Sequence, residues 1–311
     1  MSTERQEGQS RLDISGRDIG EKRYPDQIAA EYLSTLPLPE KADGISIKPL
    51  ADAIKYCQKT QQRLVIVSTV CPSYSTDPLG VPDYQDLTVD ISANTQRHLD
   101  HIPKANEIFQ KSGVDFVHFF LMADTEVDLL PFLNKLDISP EEFTRRCQES
   151  VEKISDRLLK IYEDQPYSTE LYPSAARFLD YFGEDEWFEK YNRYLARLIS
   201  ERQNNPGGKV AQALEHDYQE RSRLILSLLG NVSKEEGINH IARQKAQYMA
   251  FAALIRERFG RRVVVVNHRT PNFAWMNDKI VREPDNPEDI SKGNFHHKLP
   301  LIELDISTLP K

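Results

Sequence analysis

The chain has few of the features that mark membrane-spanning, disulfide-bonded and zinc-binding proteins. In its 311 residues no apolar run approaches the roughly 20 residues that a membrane helix needs. The opening stretch, MSTERQEGQSRLDISGRDIGEKR, contains no apolar signal core. The three cysteines stand at unrelated spacings, so they indicate neither a disulfide framework nor a zinc site. We therefore expect a cytoplasmic protein that uses no metal or cofactor and does not bind membranes.

Dinucleotide-binding and P-loop signatures are missing too, and acidic residues outnumber basic ones. No G-x-G-x-x-G follows an apolar run, and there is no Walker A motif. The 40 Lys and Arg residues face 48 Asp and Glu residues, which gives a formal net charge of −8. This sign disfavours DNA and non-specific nucleic-acid binding, although a local basic patch can still contact RNA.

Three apolar runs are predicted to be buried strands. They are Leu64–Val67, Val114–Met122 and Val263–Val266, and turn residues bound each of them. Helical patterns separate the runs, among them a long helix that begins at Ser139 and Pro140 and an aromatic-rich helical stretch over Pro173–Gln203. Strands that alternate with helices predict an α/β fold, namely a Rossmann-like parallel sheet with a large helical layer.

The domain organisation follows from composition. Residues 1–25 are polar and are predicted to be a disordered tail. Residues 26–280 are predicted to form a single α/β domain of catalytic type. Residues 281–311 are a polar C-terminal segment that we expect to dock partly, through the apolar stretch Leu299–Leu304.

The predicted strands run into polar side chains at their carboxyl ends, where ligands bind in open parallel sheets. Ser68 ends the first apolar run, Asp124 follows the second, and His268 follows the third. A serine nucleophile needs a base or a preorganised set of hydrogen bonds, and a histidine suits acid–base work near neutral pH. Cys71 is an alternative nucleophile. A serine that only satisfies backbone groups at a strand end also fits the pattern.

Several segments resemble those of the cyclodipeptide synthases. LVIVS resembles their first strand, which ends in a nucleophilic serine, here Ser68. The helix SPEEFTRRCQESVEKISDRLLK, which follows a strand ending at Asp124, is similar to their basic tRNA-binding helix. AQYMAFAALI resembles the late helix that carries a catalytic tyrosine, here Tyr248. The resemblance covers roughly residues 60 to 275 and implies a fold related to class I tyrosyl- and tryptophanyl-tRNA synthetases.

The resemblance implies an aminoacyltransferase that takes amino acids from two aminoacyl-tRNAs, through a seryl ester, and releases a cyclic dipeptide or a related amide. Together with the strand-end argument it gives the candidate catalytic residues Ser68, Tyr248, His268 and Asp124. The candidate substrate-binding residues are Thr69, Ser73, Tyr74, Glu126, Asn267 and Arg269. The candidate tRNA-binding residues are Arg146, Lys153, Arg157 and Lys160.

The sequence also departs from that family. Four residues after the catalytic tyrosine the family has a glutamate, whereas this chain has Ala252. Near the end of the late strand the family has a tyrosine, whereas this chain has Asn267 and His268. Two alternatives therefore stay open: an enzyme of the same fold that acts on a nucleotide or another activated small molecule, and a non-catalytic binding relative.

Overall fold

A computed structural model describes residues 23–35, 47–70, 75–76, 82–83, 99, 107–122, 138–163, 174–268 and 301–304. The helices are α1 Pro25–Thr35, α2 Ile47–Thr60, α3 Pro140–Glu163, α4 Phe178–Phe182, α5 Glu184–Asn204, α6 Lys209–Leu229 and α7 Lys234–Phe259. The strands are β1 Leu64–Val70, β2 Ser75–Thr76, β3 Pro82–Asp83, β4 Phe116–Met122, β5 Ser174–Arg177, β6 Val263–His268 and β7 Leu301–Leu304. A 3₁₀ turn over Gly260–Arg262 joins α7 to β6.

The main sheet is parallel and has the strand order β5-β4-β1-β6-β7. Its central strand, β1, lies between β4 and β6, so the apolar runs predicted to be strands form the middle of the sheet. β2 and β3 form a separate antiparallel pair. This architecture confirms the α/β, Rossmann-like prediction.

Two hydrophobic cores lie on the two faces of the sheet. On one face Leu64, Ile66, Val264 and their neighbours pack with α1 and α2. On the other face Val65, Val67, Val263 and Val265 pack with helices α4 to α7. Since successive residues of a strand point to opposite faces, the side chains of LVIV and VVVV contribute alternately to both cores.

The helix that covers most of the second core is α7, and its sequence sets both of its ends. Ser233 accepts a hydrogen bond from the backbone N–H of Glu236, and the Glu236 side chain returns to the Ser233 backbone, which makes a capping box. Gly260 ends the helix with φ +61°, a left-handed backbone that glycine adopts without strain.

The helical prediction over Pro173–Gln203 is wrong at its beginning. Ser174–Arg177 is a strand that pairs in parallel with β4, and Gly183 separates α4 from α5. Ser-Ala-Ala-Arg has little intrinsic strand preference, and here the strand exists because β4 offers it an unpaired edge. At the other edge, Leu301–Leu304 pairs with β6, which extends the three predicted strands to a five-stranded sheet.

The proposed domain boundaries stay a prediction, since most of residues 1–25 and 281–311 lie outside the described residues. Among the helices that the structure describes, none combines the length and the apolar character required to cross a membrane.

Candidate functional site

A serine–histidine pair lies at the centre of the main sheet. The Oγ of Ser68 is 2.8 Å from the Nε2 of His118, which projects from the neighbouring strand β4. Both side chains are buried, with relative exposures of 0% and 1%. Both point to the face that packs against α1 and α2, since Ser68 is two residues after Ile66 and Ile66 is the register partner of His118. A predicted nucleophile is therefore in hydrogen-bond contact with a possible base.

The surroundings of His118 keep its imidazole neutral. Burial lowers its pKa from 6.5 to about 3, because the imidazolium would lose its hydration. Its ring also lies against Phe120, with 4.4 Å between the ring centroids. At neutral pH one ring nitrogen therefore carries a hydrogen and the other can accept a hydrogen bond. In the tautomer with hydrogen on Nδ1, Nε2 accepts the Ser68 hydroxyl.

Three further candidates lie along the carboxyl ends of the central strands. Thr69 follows Ser68 in β1 and is the register partner of Leu121. Asn267 and His268 are the last residues of β6, where their register partners are Glu303 and Leu304 in β7. Because Ser68 pairs with Val266, Asn267 and His268 continue β6 past the level of Ser68 toward the predicted site.

Tyr248 lies on the other side of the sheet from the Ser68–His118 pair. It is a half-buried residue of α7 that packs against the core containing Val65 and Val67, and its ring centroid is 6.2 Å from that of Phe251. Ala252, at the position of the family's glutamate, is buried in the same core. The structure thus does not bring Tyr248 to Ser68, and a catalytic role for the tyrosine stays a prediction.

The basic stripe of α3 is mixed with carboxylates. Arg146 donates from Nε to Glu142 at 2.7 Å, and Arg145 contacts both Glu142 and Glu149. Hydrogen bonds from Arg145 and Arg146 lower the pKa of Glu142 to about 2, so this carboxylate stays ionised beside them. Lys153 and Lys160 are exposed, whereas Arg157 is half-buried. The six carboxylates of α3 outnumber its five cations, which weakens the stripe as an RNA-binding surface.

Several candidates lie outside the described residues. They are Cys71, Ser73, Tyr74, Asp124, Glu126 and Arg269. Their roles remain predictions, as do the roles of the candidates that the structure does place.

His118 was not among the residues that the sequence singled out. It lies within FVHFFLM, a strand whose side chains are otherwise aromatic or aliphatic. The sequence did contain a signal for it, namely a histidine within a strand that is predicted to be buried. A buried imidazole needs a hydrogen-bond partner, so its presence indicates a second polar group nearby. Its partner is 50 residues away in the sequence and becomes visible only through the register of β1 and β4.

Among the described residues no group of three or more His, Cys, Asp or Glu side chains is placed to hold a metal ion. No family model matches the chain, and no curated protein matches it. Among solved structures, the chain is similar to a cyclodipeptide synthase from Staphylococcus haemolyticus at 12% sequence identity, over 81% of this chain and 94% of that chain, with a TM-score of 0.39. This likeness is distant and concerns the fold alone.

Proposed function

We propose that this protein is an acyltransferase that accepts an aminoacyl group from aminoacyl-tRNA as an ester on Ser68. The observation that carries the proposal is the contact of 2.8 Å between Ser68 Oγ and His118 Nε2. A hydroxyl within hydrogen-bond reach of a neutral ring nitrogen is the arrangement of an activated serine nucleophile. The choice of aminoacyl-tRNA as donor comes from the resemblance of the sequence segments to cyclodipeptide synthases.

The proposed step balances as an ester exchange. Ser68 Oγ bonds to the carbonyl carbon of the aminoacyl ester, and the bond from that carbon to the ribose oxygen breaks. The hydroxyl proton moves to His118 Nε2 while the oxyanion exists and then to the departing ribose oxygen. The amino group of a second aminoacyl unit would next attack the seryl ester, releasing Ser68 and forming an amide.

Burial of His118 decides how this pair can work. Burial makes an imidazolium costly at this position, which is why the pKa of His118 is lowered. His118 therefore holds the proton only while the oxyanion is present, and in the resting protein the pair stays neutral. Ser68 itself has no exposed surface, so residues that cover it must move before a donor ester reaches Oγ. We therefore expect acylation to be slow and to be limited by this opening.

The proposal is tested by intact-mass spectrometry. The purified protein is mixed with total aminoacylated tRNA, and the mass of the protein is followed over time. We expect the wild-type protein to gain the mass of one aminoacyl group and Ser68→Ala to gain none. His118→Phe, which keeps a ring but removes the nitrogen, should acylate at least about 100-fold more slowly, in line with the typical worth of a positioned base.

Ser155→Ala is a matched control, since Ser155 is a half-buried serine whose hydroxyl donates to the Val151 carbonyl on α3. It should acylate like the wild type, and deacylated tRNA with free amino acids should give no adduct. An adduct that persists in Ser68→Ala, or no adduct and no dipeptide with the wild-type protein, would contradict the proposal.

A further inference from the structure

Helix α2 carries a surface rich in exposed lysines. Lys48, Lys55 and Lys59 are exposed on it, and within the described part of the chain none of them forms an ion pair. The 3₁₀ turn adds Arg261 and Arg262, which likewise make no ion pair there. We refer to Lys48, Lys55, Lys59, Arg261 and Arg262 as the α2 basic patch.

The two arginines are held in place by aromatic rings. The guanidinium of Arg261 lies over the ring of Tyr56 on α2, 5.3 Å from its centroid, and that of Arg262 lies 5.9 Å from the centroid of Phe259. The 3₁₀ turn contacts α2 directly. A guanidinium stacked on a ring keeps its N–H edge free for an anion, and holding the group in place lowers the entropy cost of binding.

The patch differs from the other cationic surfaces of this acidic chain. Elsewhere several exposed arginines pair with carboxylates, as Arg145 does with Glu142 and Arg193 with Glu189. Arg243 and Arg258 of α7 are exposed and make no ion pair among the described residues, but they do not lie beside a row of lysines. Helix α2 has three lysines and a single acid, Asp52, within a protein of net charge −8. Lys55 and Lys59 are one helical turn apart, and like charges at this spacing destabilise a helix. Solvent exposure alone therefore does not explain why both positions are lysine.

From this contrast we infer that the α2 basic patch is the surface on which the phosphodiester backbone of RNA binds. Lys48 and Lys59 are separated by about 16 Å along the helix, which makes a ladder of charge suited to a polyanion with repeating phosphates. A membrane surface fits less well, because the apolar face of α2, with Leu50, Ile54 and Cys57, is already buried in the core.

The path of α2 links this surface to the proposed site. Only residues 61–63 separate the end of α2 from the start of β1, so the end of α2 lies near the amino ends of the strands. Because α2 packs on the sheet, its beginning lies nearer the carboxyl ends of the strands. Arg261 and Arg262 therefore mark the amino edge, and Lys48 lies toward the edge at which β1 ends. An RNA that follows the patch would lead toward that edge. This step rests on the proposed function, which makes tRNA the RNA in question.

Binding is tested with deacylated tRNA, so that the result does not depend on acyl transfer. Labelled tRNA is titrated with protein and followed by fluorescence anisotropy, at about 50 mM and about 200 mM salt. The variant Lys55→Gln/Lys59→Gln/Arg261→Gln removes three exposed charges of the patch. We expect it to bind at least about tenfold more weakly, and its log–log salt dependence to become shallower by about 0.7–0.9 for each phosphate that the variant no longer neutralises.

The matched variant Arg193→Gln/Lys209→Gln/Lys234→Gln removes three exposed charges from helices α5, α6 and α7 and should bind within about twofold of the wild type. The charge-keeping variant Lys55→Arg/Lys59→Arg/Arg261→Lys should bind like the wild type, which separates an effect of charge from an effect on folding. Any of three results would overturn the inference: unchanged binding by the patch variant, an equal or larger loss in the matched variant, or displacement of tRNA by polyglutamate as effective as by polyuridylate. The last would point to an acidic polypeptide.

Discussion

Ser68 and His118 meet diagonally across two parallel strands. In the register of β1 and β4, Ser68 is opposite Phe120 and His118 is opposite Ile66, yet Ser68 Oγ and His118 Nε2 are 2.8 Å apart. Each side chain thereby gives a hydrogen-bond partner to a buried polar group on the neighbouring strand. The contact stabilises the folded protein and is also the basis of the proposed acyl transfer. Stability and acylation therefore have to be measured separately.

The buried imidazole predicts a characteristic pH dependence of stability. The pKa of His118 is about 3 in the folded protein and 6.5 without burial, so between these values the unfolded chain takes up a proton that the folded chain does not. The stabilising effect of the neutral state is complete above pH 6.5 and is lost as the pH falls toward 3. We expect the wild type to lose up to about 1.4 kcal/mol per pH unit relative to His118→Phe in that range.

The measurement is urea unfolding of both proteins from pH 7.5 downward. Carboxylates are common to the two proteins, so their titration cancels in the difference between the free energies of unfolding. A difference that stays constant with pH would show that His118 titrates normally in the folded state and would remove the argument for a neutral pair.

Much of the fold was readable from local pattern, because its central strands are short runs of β-branched residues. Val263–Val266 and Leu64–Val67 are buried on both faces, and nothing else in the chain has that composition. Ser174–Arg177 could not be found in the same way, since its strand character comes from pairing with β4 and not from its own residues. Edge strands depend on tertiary context, and local propensity does not contain that information.

The candidate site was readable only in part. Ser68 could be proposed because it ends an apolar run, which is a local feature. His118 could not be paired with it, because strand register sets the contact and a shift by one residue would send the imidazole to the other face. The opposite case is Tyr248, which was proposed from the resemblance of AQYMAFAALI to the family's late helix, whereas the sheet lies between it and Ser68.

Breaking the buried ion pair between α6 and α7 should destabilise the protein. Lys245 has no exposed surface, and its Nζ is 2.5 Å from Oδ2 of Asp217. Asp217→Asn should cost about 3 kcal/mol, because it removes the charge of the carboxylate that contacts the buried ammonium. Lys245→Met/Asp217→Asn should recover much of that loss. Urea unfolding of the single and double variants gives the coupling energy, and strictly additive losses would contradict a direct pairing.

The described cysteines should be inert in the folded protein. Burial raises the pKa of the Cys57 thiol to about 11, although the nearby charge of Arg262 opposes the rise, and Cys147 is fully buried. Since thiolate is the reactive form, iodoacetamide at pH 8 should leave both residues unmodified until the protein is unfolded in urea. Peptide mapping before and after unfolding measures this. Rapid alkylation of Cys57 in the native protein would show that α2 opens readily.

A side chain at Gly237 should destabilise the protein where α7 passes close to α6. A Cβ at this position would lie 2.2 Å from Cε2 and 2.8 Å from Cδ2 of the Tyr218 ring. Gly237→Ala gains about 1 kcal/mol in helix propensity but forces that ring to move, and overpacking typically costs about 1–3 kcal/mol. We expect a net loss of about 1 kcal/mol in the free energy of unfolding. Gly207→Ala is the matched control, because no atom lies within 4 Å of its added Cβ.

The same pair of helices allows the cause of that loss to be checked. If the clash with Tyr218 is responsible, Gly237→Ala should cost less in a Tyr218→Ala background, where the ring is absent and only the gain in helix propensity remains. The substitution should then become neutral or stabilising. A loss of the same size in both backgrounds would mean that Gly237 is needed for its backbone and not for the close approach of α6. The capping box at Ser233, four residues earlier, would then be the place to look for the constraint.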